Sequence, residues 1–207
     1  MGFVFRLLCL GVLVLAAGKP PSTPRAAASP LVLQTGDVLL QTSRSSRSLL
    51  IQRASRSKYS HVGLVEVTPH GIYVVEAIAP VSRTPLAAWA ARGVGRAVTV
   101  LRPKGLDAAT RGRVLAEASR HLGKPYDARY RWDDETLYCS ELVVKAFERG
   151  AGVVVGRQQR VAELALAPPE RALVKRLGGN DSQILVTPGS LDGDEHFELL
   201  ARDLRWP

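Results

Sequence analysis

Leu137-Tyr138-Cys139-Ser140-Glu141-Leu142-Val143 carries Cys139, and the chain's other cysteine, Cys9, lies within an apolar N-terminal segment. If that segment is removed on export, Cys139 is left alone and cannot form an internal disulfide, the usual reason for keeping cysteine in an oxidising compartment. Two readings of an isolated cysteine stay open on these residues. It can act as a small buried hydrophobe, or as a nucleophile that needs a base and an environment favouring thiolate. Downstream, Leu142, Val143, Ala146 and Phe147 recur at helical spacing, so a helix is expected from Cys139 to Gly150 with the sulfur at its N-terminus. Upstream, Asp133-Asp134-Glu135 are expected to cap that helix.

Working outward, Asp107 caps a second expected helix, which runs to about Leu122, buries Val114, Leu115, Ala118 and Leu122 and stops at Gly123. Residues 60–67 (SHVGLVEV) and 72–78 (IYVVEAI) are rich in β-branched side chains and flank Thr68-Pro69-His70-Gly71, a hairpin pattern. Short strands are expected at Gly36 to Gln41 and at Val98 to Leu101. The stretch 42–58 reads as loop with one helical turn around Leu49 to Ile51, and Thr84-Pro85 opens a short helix through Trp89, with Thr84 as its cap. Beyond residue 150 the pattern weakens to a helix near 169–177, a strand near 184–187 and an acidic-aromatic tail. The class is α+β, in one domain.

Four histidines could serve Cys139. His70 falls in the hairpin turn, His121 at a helix C-terminus where a cation suits the dipole, and His196 in an acidic tail. His61 differs because it lies on a strand. An even-numbered loop pairs Val67 with Ile72 and Gly63 with Glu76, which makes His61 and Glu76 diagonal neighbours on one face with Gly63 clearing space between them. Val65 and Val74 share that face, so it is expected to be at least half buried, and a buried carboxylate needs a partner. A carboxylate beside a histidine is the arrangement that orients an imidazole base.

Residues 3–17 (FVFRLLCLGVLVLAA) with Ala16-Ala17-Gly18 read as an export signal over 1–18, the alternative being an uncleaved N-terminal anchor. Residues 19–30 form a Pro/Ser/Ala linker, and 31–207 the single domain. The protein is therefore expected outside the cytoplasm, periplasmic or secreted. The full chain has 28 basic and 19 acidic side chains, a net charge of +9. No acidic residue falls between Asp37 and Glu66, where Arg44, Arg47, Arg53, Arg56 and Lys58 lie. For an exported protein this block suits anionic polymers or lipid headgroups, and Arg53, Arg56 and Lys58, nearest His61 in sequence, are expected at the rim of a cleft. Zinc-finger spacing, RNP-like motifs and heptads are missing from the sequence, so no nucleic acid partner is expected. No metal or other cofactor is expected.

Leu122-Gly123-Lys124-Pro125-Tyr126, followed by Cys139-Ser140-x-Leu142-Val143, resembles the signature of the NlpC/P60 cysteine peptidases of the papain-like superfamily. Those proteins place cysteine before histidine; here the order is His61, Glu76, Cys139. With Gly36-Asp37-Val38 and Ser60-His61-Val62-Gly63, that order is similar to the circularly permuted YiiX/YebB-like branch, over roughly residues 34–150. Tyr138 stands where ordinary members carry Asp, a departure that bears on specificity. The resemblance implies that a helix bearing the cysteine packs on a small antiparallel sheet, with Cys139 as nucleophile, His61 as base and Glu76 as its orienting partner. It implies Tyr126 as an oxyanion or substrate contact, with a packed aromatic the competing reading, and Tyr138 as a further candidate. The function expected is cleavage of an amide bond in a cell-envelope peptide or aminoacyl compound. The alternatives are a thiol-dependent lipid acyltransferase or lipase of LRAT-like type and a non-catalytic envelope-binding module.

Overall fold

The computed structural model describes residues 31–176 and 178–207. The expected signal segment and linker lie outside the described residues. Six strands form an antiparallel sheet: β1 (Val38–Gln41), β2 (His61–Thr68), β3 (Gly71–Glu76), β4 (Ser82–Pro85), β5 (Ala97–Pro103) and β8 (Phe197–Arg205), in the order β4-β3-β2-β1-β5-β8. The helices are α1 (Ser48–Ser55), α2 (Leu86–Ala91), α3 (Ala108–Ser119), α4 (Cys139–Ala151) and α5 (Pro168–Arg176). The short strands β6 (Gln158–Arg160) and β7 (Ile184–Val186) pair in a separate ribbon.

Alternation along the strands divides the core in two. Val38, Leu40, Val62, Leu64 and Val75 face α3 and α4, meeting Val114, Ala118, Leu142, Val143 and Phe147. Leu39, Val65, Val74 and Val100 point the other way and are covered by Leu86, Trp89 and Ala90 of α2. The β2–β3 register joins Val67 to Ile72 and Leu64 to Val75, as the loop parity requires. Leu39 lies opposite Gly63 and Gln41 opposite His61 on the neighbouring strand. His61, Gly63, Glu76 and Gln41 therefore share the face that α2 covers.

α4 is held at its start and along its length. The Ser140 hydroxyl donates to the Val186 carbonyl at 2.8 Å, tying the helix start to β7. The Glu141 carboxylate accepts from the Tyr138 N–H and lies 2.8 Å from the buried Lys145 ammonium. α3 crosses α4 so closely that a Cβ on Gly150 would stand 2.6 Å from the Val114 Cα. Only glycine permits that approach.

Several expectations need correction. Asp133, Asp134 and Glu135 do not cap α4: Asp133 accepts from the Glu135 and Thr136 N–H groups, and Asp134 reaches Lys145 and Arg149. α3 ends at Ser119, which leaves Leu122 outside the helix and 42% exposed. Thr84 is not a helix cap; it belongs to β4 and α2 begins after Pro85, because Val74 pairs with Thr84 in the sheet. The acidic-aromatic tail is the edge strand β8, whose pairing with β5 contains register shifts. Its charged side chains guard an exposed edge, a role that local sequence does not distinguish from a solvated tail. The loop around Leu49 is a helix of eight residues.

Gly150→Ala is expected to force α3 and α4 apart, costing about 1–3 kcal/mol. The midpoint of thermal unfolding should fall by several degrees. An unchanged midpoint would mean that the close approach does not hold α4 in place.

Candidate active site

Glu76 is the last residue of β3, and its carboxylate is fully buried on an otherwise apolar strand. It survives there because three side chains converge on it. The His61 Nε2 lies 2.5 Å from Oε2, the Thr84 hydroxyl donates to Oε1 at 2.5 Å, and the Arg92 guanidinium also donates to Oε1. Burial alone would raise the carboxyl pKa, but the His61 contact, then Thr84 and Arg92, outweigh it and hold Glu76 below the usual glutamate range. Gly63 makes this contact possible: a Cβ there would meet Val74 Cγ1 at 2.4 Å and Glu76 Cβ at 3.3 Å.

His61 opens β2 at the end of the sheet, where the first residue of α4 reaches it. With Nε2 committed to Glu76, the other ring nitrogen, Nδ1, is left for Cys139. Burial would push the imidazole down, but hydrogen bonds to Cys139 and Glu76 reverse this and lift His61 to about 9. The ring also packs against Trp89 of α2, with centroids 5.9 Å apart. The result is an imidazole clamped between a carboxylate and a sulfur at a helix N-terminus.

Two cavities meet at Cys139. One is a cleft walled by Gln41, Arg44, Arg47, Ser60, His61 and Tyr126. The other is a narrow slot lined by Leu50, Ile51, Tyr138, Val161, Leu164 and Val186 among others. Tyr126 is held beside α4 by a bridge between its backbone and Leu137. Burial, and then Cys139, push its phenol well above the ordinary tyrosine range, which keeps it an O–H donor. Tyr138 is different: its hydroxyl accepts from the Val186 N–H at 3.1 Å, and its ring packs on Tyr130 and Trp132 as a wall of the slot.

The structure thus brings Cys139, His61, Glu76 and Tyr126 together. It does not place Arg53, Arg56 or Lys58 on the cleft wall. Arg53 pairs from α1 with Glu170 at 2.9 Å, and Lys58, in the segment between α1 and β2, pairs with Asp203 of β8. Arg44 and Arg47, from the same basic interval, take the cleft position. His121, expected to be suited to a cation, is buried, and its pKa is lowered by that burial and by Lys124. Sequence reasoning missed Thr84, Arg92 and Gln41. Gln41 was readable, because alternation puts it on the buried face with Leu39; Thr84 required β4, which has no strong strand signal.

Below about 9 the His61 imidazole keeps its proton. A reaction that uses this imidazolium should hold its rate above neutrality and lose it as pH rises through about 9. Glu76→Gln removes the anion that helps retain the proton, so the alkaline fall should move to lower pH and kcat/KM should drop by about 100-fold or more. The pH profile of amide hydrolysis in both proteins checks this. An identical alkaline limb in the variant would remove Glu76 from the site's electrostatics.

Comparison with known proteins places this geometry in a wider group. The family described as "Permuted papain-like amidase enzyme, YaeF/YiiX, C92 family" matches residues 32–200. The uncharacterized protein YiiX of Escherichia coli (strain K12) is 37% identical over 207 residues, covering 98% of this chain and 96% of that one. A crystal structure described as the metalloprotein yiiX from Escherichia coli O157:H7 aligns with a TM-score of 0.77 at 37% identity, covering 84% of this chain and 98% of that one. With His61 and Glu76 ahead of Cys139, the chain belongs to the permuted papain-like amidase family and is a cysteine hydrolase by kind.

Proposed function

We propose that this hydrolase is an exported amidase that cuts the amide bond of an envelope compound carrying an apolar acyl chain. The observation that supports this is the slot at Cys139. Leu50, Ile51 and Ala54 of α1 form one wall, and Val161, Leu164, Leu166, Val174, Leu185 and Val186 of the C-terminal segment form the other. A slot so poor in polar groups suits hydrocarbon, each buried methylene of which contributes about 0.8 kcal/mol. The expected peptide or aminoacyl substrate is thereby narrowed to an acylated one, which draws on the lipid-directed alternative. The export segment supports an envelope location.

In the proposed mechanism the Cys139 thiolate attacks the amide carbonyl carbon. The Cys139 backbone N–H and the Tyr126 hydroxyl receive the developing oxyanion. His61 transfers its Nδ1 proton to the leaving nitrogen, the C–N bond breaks, and the acyl group remains as a thioester on Cys139. Water then attacks the thioester carbonyl while His61 Nδ1 takes its proton. Collapse releases the carboxylic acid and restores the thiolate–imidazolium pair. Glu76 keeps the imidazole oriented throughout. An alcohol or amine in place of that water would give acyl transfer from the same intermediate.

The metalloprotein description of the Escherichia coli structure has no counterpart in the donor set here. Among the described residues no group of three or more His, Cys, Asp or Glu side chains is arranged to hold a metal ion, and His61 Nε2 is already engaged by Glu76.

N-lauroyl p-nitroanilide should be hydrolysed with a kcat/KM at least ten times that of the N-acetyl compound, a difference of about 1.4 kcal/mol. Ala54→Leu, which fills the slot, should shrink that ratio. Mass spectrometry of envelope extracts treated with wild-type protein or Cys139→Ala would show which acylated compounds disappear. Equal rates for the two anilides would contradict an acyl slot.

A further inference from the structure

The cleft on the other side of Cys139 has the opposite chemistry from the slot. Its walls carry Arg44, Arg47 and Arg92 and no carboxylate among the described residues. Arg92 is neutralised by Glu76 at the back of the site. Arg44 and Arg47 have no acidic partner within salt-bridge reach among the described residues, and Arg47 lies over the Tyr126 ring, 5.3 Å from its centroid. Exposed arginines alone would be an ordinary solvated surface. Gln41 makes this a built site.

Gln41 is 1% exposed, stands opposite His61 in the sheet and lines the cleft. Neither its Nε2 nor its Oε1 has a hydrogen-bond partner among the described residues. Gly93 leaves room for the carboxamide: a Cβ there would stand 2.4 Å from Oε1. Burying an amide without partners costs free energy, and apolar side chains of similar size exist. On β1 it stands opposite His61 and shares the cleft wall with Cys139.

We infer that this cleft is a leaving-group subsite for an amine bearing an anionic group such as a carboxylate, attracted by Arg44 and Arg47, with the Gln41 carboxamide bonding polar atoms beside the scissile amide. This inference rests on the amidase reading above. The acyl part enters the slot and the anionic amine enters the cleft, with the carbonyl at Cys139 between them. The class of substrate that joins both halves is an N-acylated acidic amino acid or a comparable N-acyl anion.

Four compounds separate the two readings when titrated calorimetrically into Cys139→Ala protein, in which turnover is prevented: N-lauroyl-glutamate, N-lauroyl-glutaminamide and their N-acetyl counterparts. The glutamate compounds should bind at least ten times more tightly than their neutral partners in both series, and the ratio should fall with added salt. Adding Arg44→Gln and Arg47→Gln should abolish that ratio. The lauroyl-to-acetyl ratio reports separately on the slot, so a failure there would contradict the acyl reading while leaving the charge ratio to be read. Gln41→Leu should weaken binding of all four compounds yet leave thermal stability equal or higher, whereas a purely structural glutamine would lower stability and leave affinity unchanged. Equal affinity for anionic and neutral compounds, or no binding of any, would overturn the inference.

Discussion

The fully buried carboxylate of Glu76 is the constraint on which the rest of the site depends. A carboxylate removed from water is tolerable only with charged or hydrogen-bonding partners on every open side. Its partners come from different elements: His61 from β2, Thr84 from β4 and Arg92 from the end of α2. Satisfying Glu76 therefore fixes the edge of the sheet, the placement of α2 and the orientation of the imidazole together. Gly63 belongs to the same constraint, since any larger residue would fill the space across which the histidine and glutamate meet.

A second set of contacts delivers the sulfur. α4 is packed from behind by α3 at Gly150, anchored to β7 by Ser140, and closed at its first turn by Glu141 on the Tyr138 N–H. Burial pushes Glu141 up to about 7 against the opposing pull of Lys145, so the pair beneath the helix start sits in a poorly solvated environment. Cys139 is thereby held at the junction of two cavities of contrasting chemistry. The C-terminal segment, which lies outside the region of closest motif resemblance, supplies much of the apolar wall on one side. The Cys139–His61–Glu76 cluster and the apolar slot thus draw on different parts of the chain.

Much of this was legible from residue pattern. Alternation and loop parity predicted the β2–β3 register, the shared face of His61 and Glu76 and the need for Gly63, because a slip of one residue would have reversed every side chain. The apolar spacing after Cys139 predicted α4. The partners of Glu76 beyond His61 were not legible, because Thr84 and Arg92 reach it through β4 and α2, whose placement is set by tertiary pairing rather than local propensity. Arg53, Arg56 and Lys58 are the basic residues nearest His61 in sequence. Helix α1 nonetheless turns Arg53 towards Glu170 and leaves Arg44 and Arg47 beside the cleft. Beyond residue 150 the strands are short or highly charged, and alternation gives no clear face.

The central claim, that Cys139 is a nucleophile driven by the His61–Glu76 pair, is tested most directly by trapping its acyl intermediate. Protein mixed with p-nitrophenyl laurate, quenched in acid within milliseconds to seconds and weighed intact, should gain one lauroyl group, which peptide mapping should place on Cys139. The adduct should be absent in Cys139→Ala and should form far more slowly in His61→Ala. No adduct during turnover, or an adduct that forms at the same rate without His61, would contradict the account.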